Sequence, residues 1–593
     1  MKTLMLGNEA VARGAYEAVV RVASAYPGTP STEITEYIAK YDEIFSEWAP
    51  NEKVAVEVAI GASVIGGRAV AAMKHVGLNV AADPLFTASY TGVNGGLVIC
   101  VADDQGMHSS QNEQDSRHYA RASKVLMLEP ADSAECREFV KRAFEISEEF
   151  DTPVLLRLCT RVSHSRGLVE LVERRDVPLK PYKKDVSKYV MAPAMAKGRH
   201  VFVEERAVRE KEWANTTDLN RIELNKIEMR DRKIGVIAAG IAYQYAKEAL
   251  GDRVSYLKLG VVYPLPDKLL ADFRAQVDEC YVIEELDPII EERCKMLGLD
   301  VHGKDVFPTT FEYTAPMIKK AVLGADTETL DTSGIGAIPA RPPVMCAGCP
   351  HRGVFYVLKQ MRLTVTGDIG CYTLGANEPL NAMDTTICMG ASVGMAHGME
   401  KAAGQGQARK TVAVIGDSTF IHSGITGLID IVYNKGMSTV IILDNSTTGM
   451  TGHQNNPATG IIIKGEKTRQ VDLKKLCEAV GVERVTIADP FDVDALRKIL
   501  EAELAAEEPS VVIAQRPCKL LKGVEYQERY VIDKEICTGC GVCMSTGCPC
   551  LVKKDGKVAI NESRCTGCGY CYRVCRFKAI FPKEKSSEGE VLV

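Results

Sequence analysis

The chain has 593 residues, 46% hydrophobic and 25% charged, with a formal net charge of −6. That length exceeds what one core can hold, so several domains are expected. Mild acidity without a Lys/Arg-rich stripe excludes nucleic acid as a partner, and apolar runs such as Val98–Ala102 and Val412–Ile415 are too short to span a membrane.

Residues 1–185 alternate helical patterns with apolar strands, Leu97–Val101 and Val154–Leu158 among them, the rhythm of a parallel sheet covered on both faces. Residues 186–229 are charged and poorly periodic and read as a connecting arm. A second αβ unit, 230–330, contains Ile234–Gly240, Val254–Leu257 and Tyr281–Glu285. Gly324–Pro343 is rich in Gly, Pro, Asp and Thr, a linker composition. A third αβ unit, 340–525, carries Thr411–Asp417 and Val440–Asn445. A small module, 528–583, and a polar tail, Lys583–Glu590, follow. The expected fold class is α/β, with several doubly wound parallel-sheet domains and a C-terminal α+β module. Met1–Gly7 is too short an apolar stretch for a secretory signal, which with reduced thiols predicts a cytoplasmic protein.

Nine of the 20 cysteines lie between Cys537 and Cys575. Eight form two Cys-x-x-Cys-x-x-Cys runs with a fourth thiol downstream: Cys537, Cys540, Cys543, Cys548, and Cys565, Cys568, Cys571, Cys575. A thiolate at every third residue wraps a loop around one 4Fe-4S cube, and the fourth thiol reaches across to the other cube. Structural zinc uses four thiols in two pairs, and a disulfide framework suits small secreted domains. The tail therefore reads as a two-cluster ferredoxin module, with Cys550 a spectator. The first run has one residue more than usual before Cys548, and Arg576 follows Cys575 where proline is common.

Gly416-Asp417-Ser418 ends one predicted strand, and Asp444-Asn445 ends the next. Carboxyl ends of adjacent parallel strands are where such sheets place ligands. An Asp carboxylate and an Asn carbonyl there are hard oxygen donors suited to Mg²⁺ gripping a diphosphate. Gly416 allows close backbone approach, and Gly424 and Gly427 are expected to open a helix whose amino end faces phosphate. The segment resembles the thiamine-diphosphate motif, which implies Asp417, Asn445 and the Thr447 carbonyl as Mg²⁺ ligands, with Ser418 where many relatives have glycine. Such an enzyme also needs a glutamate facing the aminopyrimidine ring. The candidate is Glu57, alone in the apolar stretch Val54–Ala62 and expected to be buried.

Tyr26-Pro27-Gly28-Thr29-Pro30-Ser31, the Glu57 segment, Cys346-Ala347-Gly348-Cys349-Pro350-His351-Arg352 and Gly416–His422 together resemble the 2-oxoacid:ferredoxin oxidoreductases, here of the indolepyruvate-oxidising α-subunit type. The resemblance implies a pyrimidine-binding domain (1–185), a transketolase C-terminal-like domain (230–330), a diphosphate-binding domain (340–525) and the ferredoxin tail. It implies a smaller β subunit in a hetero-oligomer, ferredoxin as electron acceptor, and an arylpyruvate and coenzyme A as substrates. Thr29 would sit near substrate, and Met450-Thr451-Gly452-His453-Gln454 puts an apolar residue where pyruvate-using relatives have a polar one. The loop Ser109–Asp115 is expected to line the pocket, with His422 and His453 near the diphosphate. Cys346, Cys349, Cys371 and Cys518 occupy the places where relatives hold a third cluster close to thiamine. The same chemistry on another 2-oxoacid is the nearest alternative. A non-oxidative thiamine decarboxylase would have no use for eight tail thiols. An electron-transfer subunit without catalysis would have no use for Asp417, Asn445 and Glu57.

Overall fold

The structure, a computed structural model, describes residues 2–224, 233–328, 330–331, 333–339, 341–526 and 529–583. It divides into two compact units, Met1–Gly336 and Ala337–Val593. Among the described residues no helix is long and apolar enough to cross a membrane.

In the first unit, strands β1 (Val20–Ala25), β2 (Phe45–Trp48), β3 (Arg68–Lys74), β4 (Leu97–Asp103), β5 (Met127–Leu128) and β6 (Val154–Cys159) form a parallel sheet. Every residue of β4 and β6 is buried, as continuous apolar runs demand when helices cover both faces. Helix Ser133–Phe150 covers one face, its first turn held by the Asp132 side chain accepting from the Glu135 amide. A second sheet follows from β7 (Arg221–Glu223), β8 (Ile234–Ala239), β9 (Ser255–Leu259) and β11 (Glu279–Ile283), in the order β11-β8-β9-β7. The intervening β10 (Val261–Tyr263) leaves it and pairs antiparallel with β5, giving a seven-stranded order β10-β5-β6-β4-β3-β1-β2. One hydrophobic cluster accordingly spans both sheets, with Met73, Ile99 and Leu155 beside Ile237, Leu257 and Val282. The charged segment between the sheets is largely one helix, Pro193–Ala214. Its Arg206 is fully buried and donates to the Ser89, Lys124 and Asp151 carbonyls, which clamps the helix to the first sheet.

The second unit holds an all-parallel six-stranded sheet built from β12 (Thr364–Gly367), β13 (Thr385–Thr386), β14 (Thr411–Gly416), β15 (Thr439–Asp444), β16 (Arg484–Ala488) and β17 (Ser510–Gln515). The order β13-β12-β14-β15-β17-β16 sets the carboxyl ends of β12, β14, β15 and β17 side by side. Two antiparallel pairs complete the tail: β18 (Tyr530–Ile532) with β21 (Ile580–Pro582), and β19 (Leu551–Lys554) with β20 (Lys557–Ile560). Asp555-Gly556 joins β19 to β20 with positive φ at both residues, the turn that matches the twist of a hairpin. The tail shares a core with the sheet domain, where the Phe491 and Tyr570 rings stack at 4.9 Å.

Candidate active site and thiol clusters

The four adjacent strand ends of the second unit gather most of the residues expected to bind cofactor. Asp417 follows β14 and is buried, as are Ser418 and, beyond β15, Asn445 and Thr447. Asp417 Oδ1 accepts from the Ser418 amide at 2.8 Å, whereas its buried Oδ2 has no partner at full hydrogen-bonding geometry, the Asn456 side chain giving the carboxyl group weak support. Burial, reinforced by the charge of Asp444, pushes its pKa up to about 7. A carboxylate oxygen left bare in that setting is costly by itself and is what a divalent cation would relieve. Asn445 Oδ1 accepts from the Thr447 amide at 3.3 Å, and the Asn445 amide lies 3.4 Å from His351 Nε2. Gly416 is required here, because a Cβ would come within 2.8 Å of the Tyr372 ring.

His351 was not expected in the site, although it stands inside the Cys-Ala-Gly-Cys-Pro-His motif. It is buried, and burial pulls its pKa down to about 4, so it is neutral beside Asn445. His422 lies on a π-helical turn, Phe420–Gly424, with its Nδ1 2.9 Å from Ser423 Oγ. That turn corrects one expectation. The helical run already starts at Asp417 and continues through Ile425–Tyr433, so Gly424 and Gly427 open nothing. Both are packing glycines: a Cβ at 424 would fall 2.4 Å from Ile415 Cδ1, and one at 427 would fall 3.1 Å from Val393. His453 has a positive φ of 68° and stands 3.9 Å from Cys518 Sγ, so its observed partner is a thiol.

Cys371 follows β12 and Cys518 follows β17, where the Cys518 amide donates to the Asn445 carbonyl at 2.9 Å. Cys371 feels the charges of Cys518 and Cys346, and Cys349 those of Cys346 and Cys371, so the four thiols form one electrostatic group. Burial raises Cys349 to about 12 and Cys371 to about 11. Thiols that reluctant to ionise become thiolates when a metal displaces the proton. In the tail, Cys537, Cys540, Cys543 and Cys575 line one apolar cavity. Cys548, Cys565, Cys568 and Cys571 line a second, together with Cys550 and Cys349. Each cavity thus takes three thiols from one run and the last from the other. Among the described residues no three His, Cys, Asp or Glu side chains converge tightly enough for a single metal ion. Thiols disposed around a cube stand wider apart than ligands of one ion.

In the first unit, Thr29 is half-buried and precedes a cis proline, with its carbonyl accepting from Ser109 Oγ at 3.1 Å. Asp104, at the end of β4, fixes the polar loop by accepting from the Ser109 amide, Ser110 Oγ and Thr160 Oγ1 at 2.6–2.8 Å. Glu57 departs from its expected burial. It is 45% exposed on helix Glu52–Val64 and ion-paired with Lys53 one turn away. The buried positions of that helix are Glu52, Ala55, Val56, Ala59 and Ser63, a stripe that leaves residue 57 outside. Lys74, unforeseen in the sequence, ends β3 with its stem against Gly28 and its Nζ 2.9 Å from the Ser109 carbonyl. Burial, only partly offset by Asp104 and Glu52, lowers its pKa to about 8.

Residues 13–234 match the thiamine-diphosphate-binding part of pyruvate flavodoxin/ferredoxin oxidoreductases, 368–514 the C-terminal TPP-binding domain of thiamine pyrophosphate enzymes, and 558–581 a 4Fe-4S binding domain. The parallel-sheet domains are therefore of thiamine-enzyme type, and the tail is a ferredoxin domain. The indolepyruvate oxidoreductase subunit IorA of Archaeoglobus fulgidus is 40% identical over 99% of this chain and 98% of its own. The IorA subunits of Methanothermobacter marburgensis and Pyrococcus horikoshii are 41% and 39% identical, over 98% and 100% of this chain and 98% of each relative. Two thiamine-diphosphate-binding domains, one 4Fe-4S domain and full-length similarity at this level lead to a single assignment: the chain is an oxidoreductase subunit of the IorA family.

Proposed function

We propose that the chain oxidatively decarboxylates arylpyruvates, indolepyruvate and its relatives, to the aryl-acyl-CoA and CO₂, with ferredoxin receiving the electrons. It does so with a smaller β subunit, in a cytoplasmic hetero-oligomer. Asp417, Asn445 and the Thr447 carbonyl hold Mg²⁺, Gly416 and Ser418 border the diphosphate, and His422 and His453 lie beyond it. Thiamine diphosphate, when bound, supplies the electron sink for decarboxylation. Glu57 would hold the proton that the aminopyrimidine ring needs, the role that the resemblance to thiamine-diphosphate enzymes gives it, and its side chain is open to solvent on this helix. Thr29 borders the substrate, and Lys74 meets the 2-oxoacid carboxylate with its ammonium.

Cys346, Cys349, Cys371 and Cys518 hold a third cube beside the two of the tail, at Cys537, Cys540, Cys543, Cys575 and at Cys548, Cys565, Cys568, Cys571. What carries the reading is the bare, buried Asp417 oxygen lying in the same unit as three groups of four thiols. The pyrimidine, transketolase C-terminal-like and diphosphate roles are assigned to 1–185, 230–330 and 340–525, with 186–229 as the connecting arm and 528–583 as the ferredoxin domain. The test is an anaerobic assay of the reconstituted two-subunit enzyme on a panel of 2-oxoacids with coenzyme A and a viologen. Arylpyruvates are expected to reduce the dye fastest. A preference for another 2-oxoacid would keep the chemistry and replace the substrate, and protein that cannot be loaded with thiamine diphosphate would end the reading.

A further inference from the structure

Among the described residues, the buried arginines other than Arg352 come with carboxylates. Arg117 is paired with Asp115 and Glu284, Arg157 with Asp103 and Glu129, and Arg206 with Glu210. Arg352 is the exception. It is 3% exposed on the first turn of helix His351–Met361, and among the described residues it has no carboxylate within ion-pair distance. Its guanidinium donates only to neutral carbonyls: Nε to Cys346 at 3.1 Å, Nη1 to Thr546 at 3.2 Å, and Nη2 to Met345. A buried cation with no counter-charge is strongly disfavoured, so an anion is to be expected nearby.

The titratable groups around it are the buried Tyr570 hydroxyl and thiols from two separate groups, Cys346 and Cys349 in one and Cys548 and Cys568 in the other. Arg352 also lines the cavity that Cys349 shares with Cys548 and Cys568. The chain is shaped to let the two loops meet there. Gly547 has φ +70° and a Cβ on it would fall 2.8 Å from Arg352 Nη1, while a Cβ on Gly348 would fall 2.7 Å from Thr566 Oγ1.

We infer that Arg352 is the counter-charge shared by two iron–sulfur cubes. It ties the 345–349 loop to the 546–548 loop and favours the reduced state of the cubes on either side of it. This rests on the three-cube reading given above. A one-electron transfer between those cubes oxidises one and reduces the other and moves no proton, so the only charge to be stabilised is the electron's. A fixed guanidinium in a dry site does that without reorganising. The two cubes that Arg352 would adjoin are those of Cys346, Cys349, Cys371 and Cys518 and of Cys548, Cys565, Cys568 and Cys571, called inner here. The third, at Cys537, Cys540, Cys543 and Cys575, would occupy a cavity that Arg352 does not line and is called outer.

The test is a redox titration of the anaerobically purified two-subunit enzyme, followed by electron paramagnetic resonance, with the outer cube identified by its loss in Cys540→Ser. In Arg352→Met the reduced-to-oxidised ratio of the two inner cubes at fixed poise should fall about tenfold, a shift of about 59 mV for one electron. The outer cube should stay within about twofold, and Arg352→Lys should restore most of the shift by returning the charge. In the unmodified enzyme the two inner cubes, when both reduced, should show mutual spin coupling, a readout that survives failure of any variant to fold. Unshifted inner cubes in Arg352→Met, a common shift of all three, or absence of spin coupling would each overturn the inference. An iron content near eight rather than about twelve per chain would instead remove the three-cube reading itself.

Discussion

Asp417 offers the sharpest quantitative check. Its carboxyl group is fully buried, one oxygen is bare, and its pKa stands at about 7 against an ordinary 3.8. The folded value lies above the unfolded one, so ionisation costs stability rather than adding it. The penalty is absent below about pH 4, grows as the unfolded chain ionises, and levels off above about pH 7. Three units at 1.36 kcal/mol each give at most about 4 kcal/mol in the metal-free protein. A cation at the bare oxygen removes that penalty by taking the ionised form, so binding must expel the proton wherever one is present. Calorimetry of Mg²⁺ with thiamine diphosphate, in buffers of differing ionisation enthalpy, reads the release directly. Beyond the protons that the diphosphate itself gives up, about 0.9 proton per site should leave at pH 6 and about 0.1 at pH 8, from the titration of a group near 7. Asp417→Asn should abolish the pH-dependent release, weaken cation binding at least about 100-fold and make the metal-free protein more heat-resistant at pH 8. Proton release that is flat between pH 6 and 8, or an Asn variant that binds Mg²⁺ normally, would refute the assignment.

Three other outcomes follow from named contacts. The Lys74 ammonium, with a pKa near 8, is charged below that value; kcat/KM for 2-oxoacids should therefore fall as pH rises through 8, and Lys74→Met should raise KM about 10- to 100-fold while leaving the KM for coenzyme A within about twofold. Glu57→Gln should cut decarboxylation by about 10³ or more with cluster spectra intact, and because its pair with Lys53 is exposed to solvent and screened, the melting temperature should barely move. Cys371→Ser should lower iron by about four atoms per chain, as measured by colorimetric assay, leave the spectrum of the cube at Cys537, Cys540, Cys543 and Cys575 unchanged, and remove the spin coupling from that of the cube at Cys548, Cys565, Cys568 and Cys571.

The parts of this molecule that could be read ahead of the structure are those whose chemistry is local. Two cysteine runs spaced for cubes announce themselves, and an Asp and an Asn at successive strand ends lie side by side once the strands are known to be parallel. Glu57 shows where local reading went wrong: its apolar neighbours suggested burial, yet the buried positions 52, 55, 56, 59 and 63 trace a helical stripe that omits it. That periodicity was available in the sequence. Gly424 and Gly427 suggest a helix start at a phosphate site when read from the sequence, whereas in the fold they thin a helix against Ile415 and Val393. Lys74 and Arg352 carried no signal at all. A lysine ending a strand becomes distinctive only when residues 28, 104 and 109 fold around it. An arginine after a Cys-x-x-Cys becomes distinctive only when a loop two hundred residues later closes on it without bringing a carboxylate.

The pairing of β10 with β5 has a bearing on how the protein is made. On the ribosome, the strands around Val20–Cys159 emerge long before Val261–Tyr263, and until then Met127–Leu128 is a bare edge able to capture a neighbouring chain. At about 5–20 residues per second that edge waits about 7–27 s for its cover. Severing the gene anywhere between residues 160 and 260 would make the wait permanent, and a sticky, insoluble fragment is the natural result.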